Sequence, residues 1–230
     1  DADFFCLQES KAHPDQVELL MHPELRGLES TWASAEKKGY SGTVTFTPHK
    51  STELRSTMGL KPYDSEGRAN LAFGKGFTLV NLYFPNGAAS EERHLFKMKF
   101  LDDLIPWLKK LEAERGPVIL CGDYNIAHTE IDIHDPVSNK DSSGFKPEER
   151  AWMTRFLEAG FIDTFRHVHP GKKDQYSWWS FRQRSRERNK GWRIDYICVS
   201  RSLENKIRGA EIHPGVQGSD HCPVSLELAL

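Results

Sequence analysis

The 230-residue sequence predicts a mixed α/β protein, with packed and largely antiparallel β-sheets and helices on the outside. Three observations predict it. Short runs rich in β-branched and aromatic residues recur along the chain between Gly and Pro. These strand-like runs outnumber the helical ones. Several follow one another with no helix between them, which argues against a doubly wound parallel sheet.

The strands are expected at Asp3–Gln8, Gly42–Thr47, Ala69–Phe73, Phe77–Phe84, Val118–Cys121, Tyr176–Phe181, Ile194–Ser200 and Pro223–Leu228. Helical signals cover Pro14–Met21, Ser90–Glu114 and Pro147–Ala159. The second is the strongest. Ser90 can cap it, Glu91 and Glu92 suit its first turn, Leu95, Met98, Leu101, Ile105 and Leu108 recur near helical spacing, and Pro106 is expected to kink it. The third opens with proline at a first helical position and stops before Gly160. Residues 132–146 and 182–191 read as long polar loops, the kind that often carry function.

A chain of this length buries one sizeable core, and we expect a single domain over residues 1–230. Its 31 basic and 33 acidic side chains leave a formal charge of −2, which does not advertise nucleic acid but permits a local basic patch. No run of 18 apolar residues suggests a membrane span, and no signal peptide is visible in the sequence. Cys6, Cys121, Cys198 and Cys222 form no C-x-x-C pair, and we expect reduced core thiols of the cytosolic type.

Five constellations could carry chemistry. In GDYN (Gly122–Asn125), after the apolar run VIL, Asp123 and Asn125 are two residues apart and would project to one side of an extended segment. Together they could hold one water, the carboxylate taking its proton and the amide orienting it; an Asx turn is the plain alternative. In GSDHCP (Gly218–Pro223), Asp220 and His221 could serve a metal and a phosphate, His being the side chain best able to act as a cation near neutral pH. In GWRIDY (Gly191–Tyr196), Asp195 opens an apolar strand and needs a partner: an imidazole N–H, or else nearby Arg193 or a loop that it caps. In LQE (Leu7–Glu9), Glu9 at a strand end is a candidate Mg²⁺ ligand, since one or two carboxylates suffice for that ion; a solvated charge is the alternative. The stretch from Tyr176 to Trp192 interleaves Trp178, Trp179, Phe181 and Trp192 with Arg182, Arg184, Arg186, Arg188 and Lys190. It suits a phosphate-contacting loop beside a base- or sugar-binding pocket, or else core tryptophans with a solvated loop.

Taken together, LQE, KKGYSG (Lys37–Gly42), EGR (Glu66–Arg68), LYFPNG (Leu82–Gly87), CGDYNIAHTEIDI (Cys121–Ile133), GFKPEER (Gly144–Arg150), YSWWSF, GWRIDY and GSDHCP resemble, in order, the exonuclease III type of abasic-site endonuclease, within the endonuclease/exonuclease/phosphatase superfamily. The resemblance runs over the whole chain. It implies a four-layer α/β sandwich, with two packed, mostly antiparallel sheets flanked by helices. It implies hydrolysis of the phosphodiester 5′ to an abasic site in duplex DNA, leaving a 3′-hydroxyl, with 3′–5′ exonuclease and 3′-phosphodiesterase activity. Mg²⁺ is the implied cofactor, with Mn²⁺ as a substitute. The implied state is a monomer, off the membrane, in the cytoplasm with the nucleoid or in a nucleus.

Carried onto this sequence, Glu9 resembles the metal ligand and Asp220 a second carboxylate near it. Asp123 resembles the residue that activates water, with Asn125 beside it. His221 resembles the histidine that stabilises the phosphorane, oriented by Asp195, and Tyr83 the tyrosine that contacts phosphate or leaving group. Trp178 and Trp192 resemble the walls of a pocket for an extruded deoxyribose. Asn139, Arg182, Arg93 and Lys140 are the implied DNA contacts. Extruding an abasic nucleotide costs less than flipping an intact one, because no base is unstacked. The pattern departs in two places. Family members carry a strand with a supporting asparagine ahead of LQE, whereas this sequence opens at Asp1; a start inside the protein is the expected reading, since loss of a core strand should be very destabilising. A further asparagine after Asn139 is replaced by Ser142. The competing readings are a superfamily phosphatase or phospholipase, and a DNA-binding relative without catalysis.

Overall fold

The structure is a computed structural model that describes residues 2–17, 22–50 and 52–230. The chain divides into two compact units, Asp1–Phe84 with Lys110–Asp123, and Pro85–Lys109 with Tyr124–Leu230.

The first unit holds β1 (Phe5–Gln8), β2 (Glu29–Ala33), β3 (Thr43–Thr47), β4 (Glu53–Arg55), the short helix α1 (Lys61–Asp64), β5 (Ala69–Gly74), β6 (Phe77–Tyr83) and β7 (Val118–Asp123). One sheet has the order β1-β3-β2 and is antiparallel throughout. Against it pack β4, β5, β6 and β7, where β4-β5 and β5-β6 are antiparallel and β6-β7 parallel. Every residue of β3 and β7 is buried, as strands between two layers must be.

A polar residue joins the two layers. Asn81, on β6 and fully buried, points its amide into the other sheet. Its Nδ2 donates to the Val44 carbonyl at 3.0 Å, to Thr45 Oγ1 at 3.1 Å and to the Leu7 carbonyl at 3.2 Å, and its Oδ1 accepts from Gln8 Nε2 at 2.6 Å. Buried polar groups persist when so satisfied, and they fix register.

The second unit contains most of the long helix α2 (Glu91–Arg115), then α3 (Pro147–Glu158), β8 (Phe161–Asp163), α4 (Thr164–Val168), β9 (Asp195–Ser200), β10 (Ile207–Ile212) and β11 (Val224–Leu228). Strands β8-β9 and β10-β11 pair antiparallel. The start of α2 follows the sequence: Ser90 Oγ accepts the Arg93 N–H at 3.2 Å. The helix continues through Pro106, which removes one backbone donor without ending it. Trp152, Phe156 and Phe161 stack in series, joining α3 to β8. Among the described residues no helix is long and apolar enough to cross a membrane, and the four cysteines are free.

Three expectations change. Tyr176–Phe181 is not a strand. Successive N–H groups of a strand point to opposite sides, whereas here those of Ser177 and Trp178 both donate to the Trp192 carbonyl, at 3.0 and 2.9 Å. Only isolated bridges remain, from Trp178 to Trp192 and His221. In the expected Pro14–Met21 helix, Pro14–Gln16 form a single 3₁₀ turn, while residues 18–21 lie outside the described residues. Strands β2, β4, β8 and β10 were not expected; they are polar, three residues long or interrupted by Gly209.

Replacing Asn81 with Ala leaves the Gln8 amide without its carbonyl acceptor and strips a donor from the facing sheet. We expect a loss of about 2–4 kcal/mol, seen as a lower urea midpoint with an unchanged slope. A loss under about 1 kcal/mol would show that the inter-sheet amide is dispensable.

Candidate active site

In the first unit, candidate residues gather at strand ends. Tyr83 closes β6 and Asp123 closes β7, and the two are register partners across the parallel pair. Gly122 permits this approach: its φ is 146°, and a Cβ there would lie 1.8 Å from the Leu82 carbonyl oxygen. Glu9 follows β1 with φ 54°, a left-handed backbone that costs free energy in a residue with a side chain. The turn is held by KKGYSG, where the Gly42 and Ser41 carbonyls accept the N–H groups of Ser10 and Lys11 at 3.2 and 2.8 Å.

The Tyr83 hydroxyl donates to Glu9 Oε1 at 2.6 Å, and Lys11 Nζ meets Glu9 Oε2 at 2.6 Å. Burial pushes the Tyr83 phenol well above its ordinary pKa, and the charges of Asp123 and Glu9 push it further. It therefore stays a protonated donor beside Asp123, which is itself 3% exposed. Arg68 holds this tyrosine in place, with its guanidinium 5.0 Å from the ring and Nη1 donating to the Tyr83 carbonyl at 2.9 Å. EGR thus supports Tyr83 rather than substrate.

In the second unit, His221 Nδ1 lies 2.9 Å from Asp195 Oδ2, while the imidazole stays partly exposed. Asp195 is buried at the start of β9, and the Ser177 hydroxyl accepts its N–H at 3.0 Å. Of the two partners open to Asp195, the imidazole is the one taken. Arg193 instead donates to Asp132 and Asp163, both at 2.7 Å, and Arg166 completes the network on Asp132. Burial alone would raise the Asp132 pKa; the guanidinium charges of Arg193 and Arg166 outweigh that and hold it well below the ordinary 3.8.

The tryptophans separate by role. Trp178 and Trp192 meet edge to face, with centroids 6.0 Å apart, and both pack on Ala127, Ile133, Phe145 and Ile194. The Trp178 ring lies 6.5 Å from that of His221, and its indole N–H donates to Asp220 Oδ2 at 3.0 Å. Trp179 is core. Phe181 is 81% exposed, and Arg182 beside it is exposed too.

Asn125 has φ 52°, and its Oδ1 accepts from Asn86 Nδ2 at 3.0 Å. Its carbonyl accepts from Lys97 Nζ at 2.8 Å; that ammonium is fully buried and paired with Glu149. Asn86, Lys97, Glu149 and Ser177 were not singled out in the sequence, although Asn86, Glu149 and Ser177 lie in LYFPNG, GFKPEER and YSWWSF. Asn139 is closed into its own loop: its Nδ2 donates to the Asp135 carbonyl at 2.9 Å, and its Oδ1 accepts from Ser142 at 3.2 Å. Arg93 lies 4.4 Å over the Phe96 ring, and Lys140 is exposed. Among the described residues, no group of three or more His, Cys, Asp or Glu is gathered to hold a metal.

With this geometry the comparisons are decisive on kinship. The model of the endonuclease/exonuclease/phosphatase family matches residues 1–221. The chain belongs to that family. It is 44% identical over 226 residues to an exodeoxyribonuclease of Bacillus subtilis, covering 98% of this chain and 88% of the relative. It is 39% identical over 231 residues to a DNA-(apurinic or apyrimidinic site) endonuclease of Dictyostelium discoideum, covering 99% of this chain and 63% of that protein. Among solved structures, an AP endonuclease from Archaeoglobus fulgidus has a TM-score of 0.88 at 25% identity, covering 99% of this chain and 89% of its own. A 3′ phosphatase from Neisseria, bound to product DNA hairpin, has a TM-score of 0.89 at 25% identity with the same coverage. The mixed α/β architecture, several sheets flanked by helices, matches that fold.

The Asp132 network gives a pH test. A folded pKa below the unfolded value contributes stability that is present above 3.8 and lost as the pH falls toward the folded pKa. Asp132→Asn should be less stable than the wild type at pH 7, and the gap should narrow by about 1 kcal/mol at pH 3, read from urea midpoints. A gap that stays constant from pH 7 to pH 3 contradicts the assignment.

Proposed function

We propose that this chain is a metal-dependent DNA-repair nuclease that hydrolyses the phosphodiester 5′ to abasic sites in duplex DNA and leaves a 3′-hydroxyl, with 3′–5′ trimming and removal of 3′ blocking groups as further activities. The observation that carries the reading is in the second unit: the Asp195–His221 pair stands beside the Trp178–Trp192 corner, so a charge-stabilising group adjoins an aromatic corner suited to a bare sugar. The exodeoxyribonuclease and AP endonuclease names of the relatives support it.

In this reading Asp123 accepts the proton of the attacking water and Asn125 fixes that water's orientation, with Asn86 steadying the amide. Asp195 holds the His221 imidazole by Nδ1, which leaves Nε2 to stabilise the charge that develops on a phosphate oxygen. Tyr83, kept protonated, would turn its one O–H from Glu9 to the phosphate or leaving group once substrate is bound. The donor set suits Mg²⁺, a hard ion that takes carboxylate oxygens and keeps several waters. Glu9 is the carboxylate that would hold it, partly exposed at the end of β1, with Lys11 Nζ giving up Oε2 to the ion. Asp220 is the second candidate, with its Oδ2 accepting from Trp178. Once bound, the ion would neutralise phosphate charge. Arg182, Lys140 and Arg93 would contact the DNA backbone, and Asn139 would do so after its loop opens.

The test is a duplex with one abasic analogue, incubated with Mg²⁺ or with EDTA. Metal-dependent incision 5′ to the lesion is expected. Asp123→Ala should abolish incision while DNA binding persists, and His221→Ala should lower the rate roughly 10²- to 10³-fold. Substantial incision by Asp123→Ala would overturn that residue's role. Hydrolysis of small phosphoesters with the duplex untouched would replace the proposed substrate.

A further inference from the structure

Of the five cations between Arg182 and Lys190, Arg186 is turned into the protein. Its guanidinium lies 4.7 Å over the ring of buried Trp179. Its Nη1 donates to the Ser219 carbonyl at 2.8 Å, and its Nη2 donates to the carbonyls of Pro214, at 3.0 Å, and Val216. Those acceptors belong to Pro214–Ser219, a segment exposed throughout and without regular structure that leads directly into Asp220 and His221. Trp179, on which Arg186 lies, donates its backbone N–H to the Asp220 carbonyl at 2.9 Å.

We propose that Arg186 is a positioning residue that gathers this segment and so sets where Asp220 and His221 stand. A planar guanidinium can stack on an indole and still donate in its plane to several carbonyls; an ammonium cannot do both. Without that tether the exposed segment keeps few backbone hydrogen bonds, and such segments open at low cost. The loop expected to track phosphates and the segment that carries His221 are thereby one mechanical piece. The catalytic consequence rests on the nuclease reading, but the tether does not.

Two measurements on the full chain test it, with Arg186→Ala and Arg186→Lys as variants. Amide hydrogen exchange at Val216, whose N–H donates to the His213 carbonyl, and at Trp179, whose N–H donates to the Asp220 carbonyl, should speed up in both while the core strands keep their protection; unchanged exchange would remove the tether. In steady-state incision of an abasic duplex, kcat should fall about 10- to 100-fold. KM and the salt dependence of DNA binding should hold, and millimolar free guanidinium should restore part of the kcat of Arg186→Ala. A raised KM, unchanged kcat and a salt slope reduced by about one would make Arg186 a phosphate contact and overturn the proposal. If Arg186→Ala does not fold, Arg186→Lys alone decides through the same readouts. If the wild type cuts no abasic duplex, the nuclease reading fails while hydrogen exchange still judges the tether.

Discussion

The guanidinium of Arg193, buried between the carboxylates of Asp132 and Asp163, is the interaction on which the second unit's chemistry rests. An unpaired charge at that depth would cost several kcal/mol, so the three groups must be placed together or not at all. Their placement fixes a backbone. The Arg193 N–H donates to the Asp132 carbonyl at 2.7 Å, and the next two N–H groups, of Ile194 and Asp195, both converge on Ser177 Oγ. That direction aims Asp195 at His221 and sets Trp192 against Trp178. Asp163 has a second task, capping α4 through the Arg166 N–H, so α4 is tied to the same network.

The first unit solves a related problem with a neutral group. Its two layers meet across an amide, Asn81, whose neutral dipole is satisfied by Gln8 and by carbonyls from two strands of the facing sheet. The strand ends then present Tyr83 and Asp123 side by side, and Gly122 removes the one Cβ that would keep β6 and β7 apart. Negative charge beside a buried phenol has a definite consequence: it keeps the proton on Tyr83. A group that must donate a hydrogen bond to an anion is served by being unable to ionise.

Much of this was legible in the sequence where one local rule decides. The cap of α2 at Ser90, the proline start of α3 and the strand β6 follow from capping, fixed φ and β-branched and aromatic composition. Glu9, Asp123, Asp195 and His221 could be singled out because each lies at a strand boundary inside one of the motifs that carry the family resemblance. Partnerships between distant residues were not legible. Nothing local shows that Arg193 avoids Asp195, two residues away, in favour of Asp132 and Asp163. Nor does anything local show that a fully buried Lys97 steadies the Asn125 carbonyl, because a lysine inside a helical pattern reads as a solvated charge. Tyr176–Phe181 misled for the opposite reason: its composition favours a strand, but two successive N–H groups are drawn to one carbonyl.

The same partnerships explain why net charge is a poor guide to what this protein contacts. Arg68, Lys97, Arg166 and Arg193 each face a carboxylate inside the fold, and their charges cancel there. Arg186 is occupied by carbonyls. The ion pairs take as many basic as acidic charges out of the surface, so the sum of −2 is untouched by them, and what a partner meets is decided by where the exposed charges stand. Around 182–188, Arg182, Arg184 and Arg188 stay exposed beside an exposed phenyl ring, and the only acidic neighbour in that run, Glu187, stands 3.9 Å from Arg184 in water, where such a pair contributes little. A polyanion is met by the local field of the side chains it approaches, screened over about 10 Å at moderate salt, and not by the integral over the chain. Acidic residues that fold the interior are therefore no obstacle to DNA at the surface.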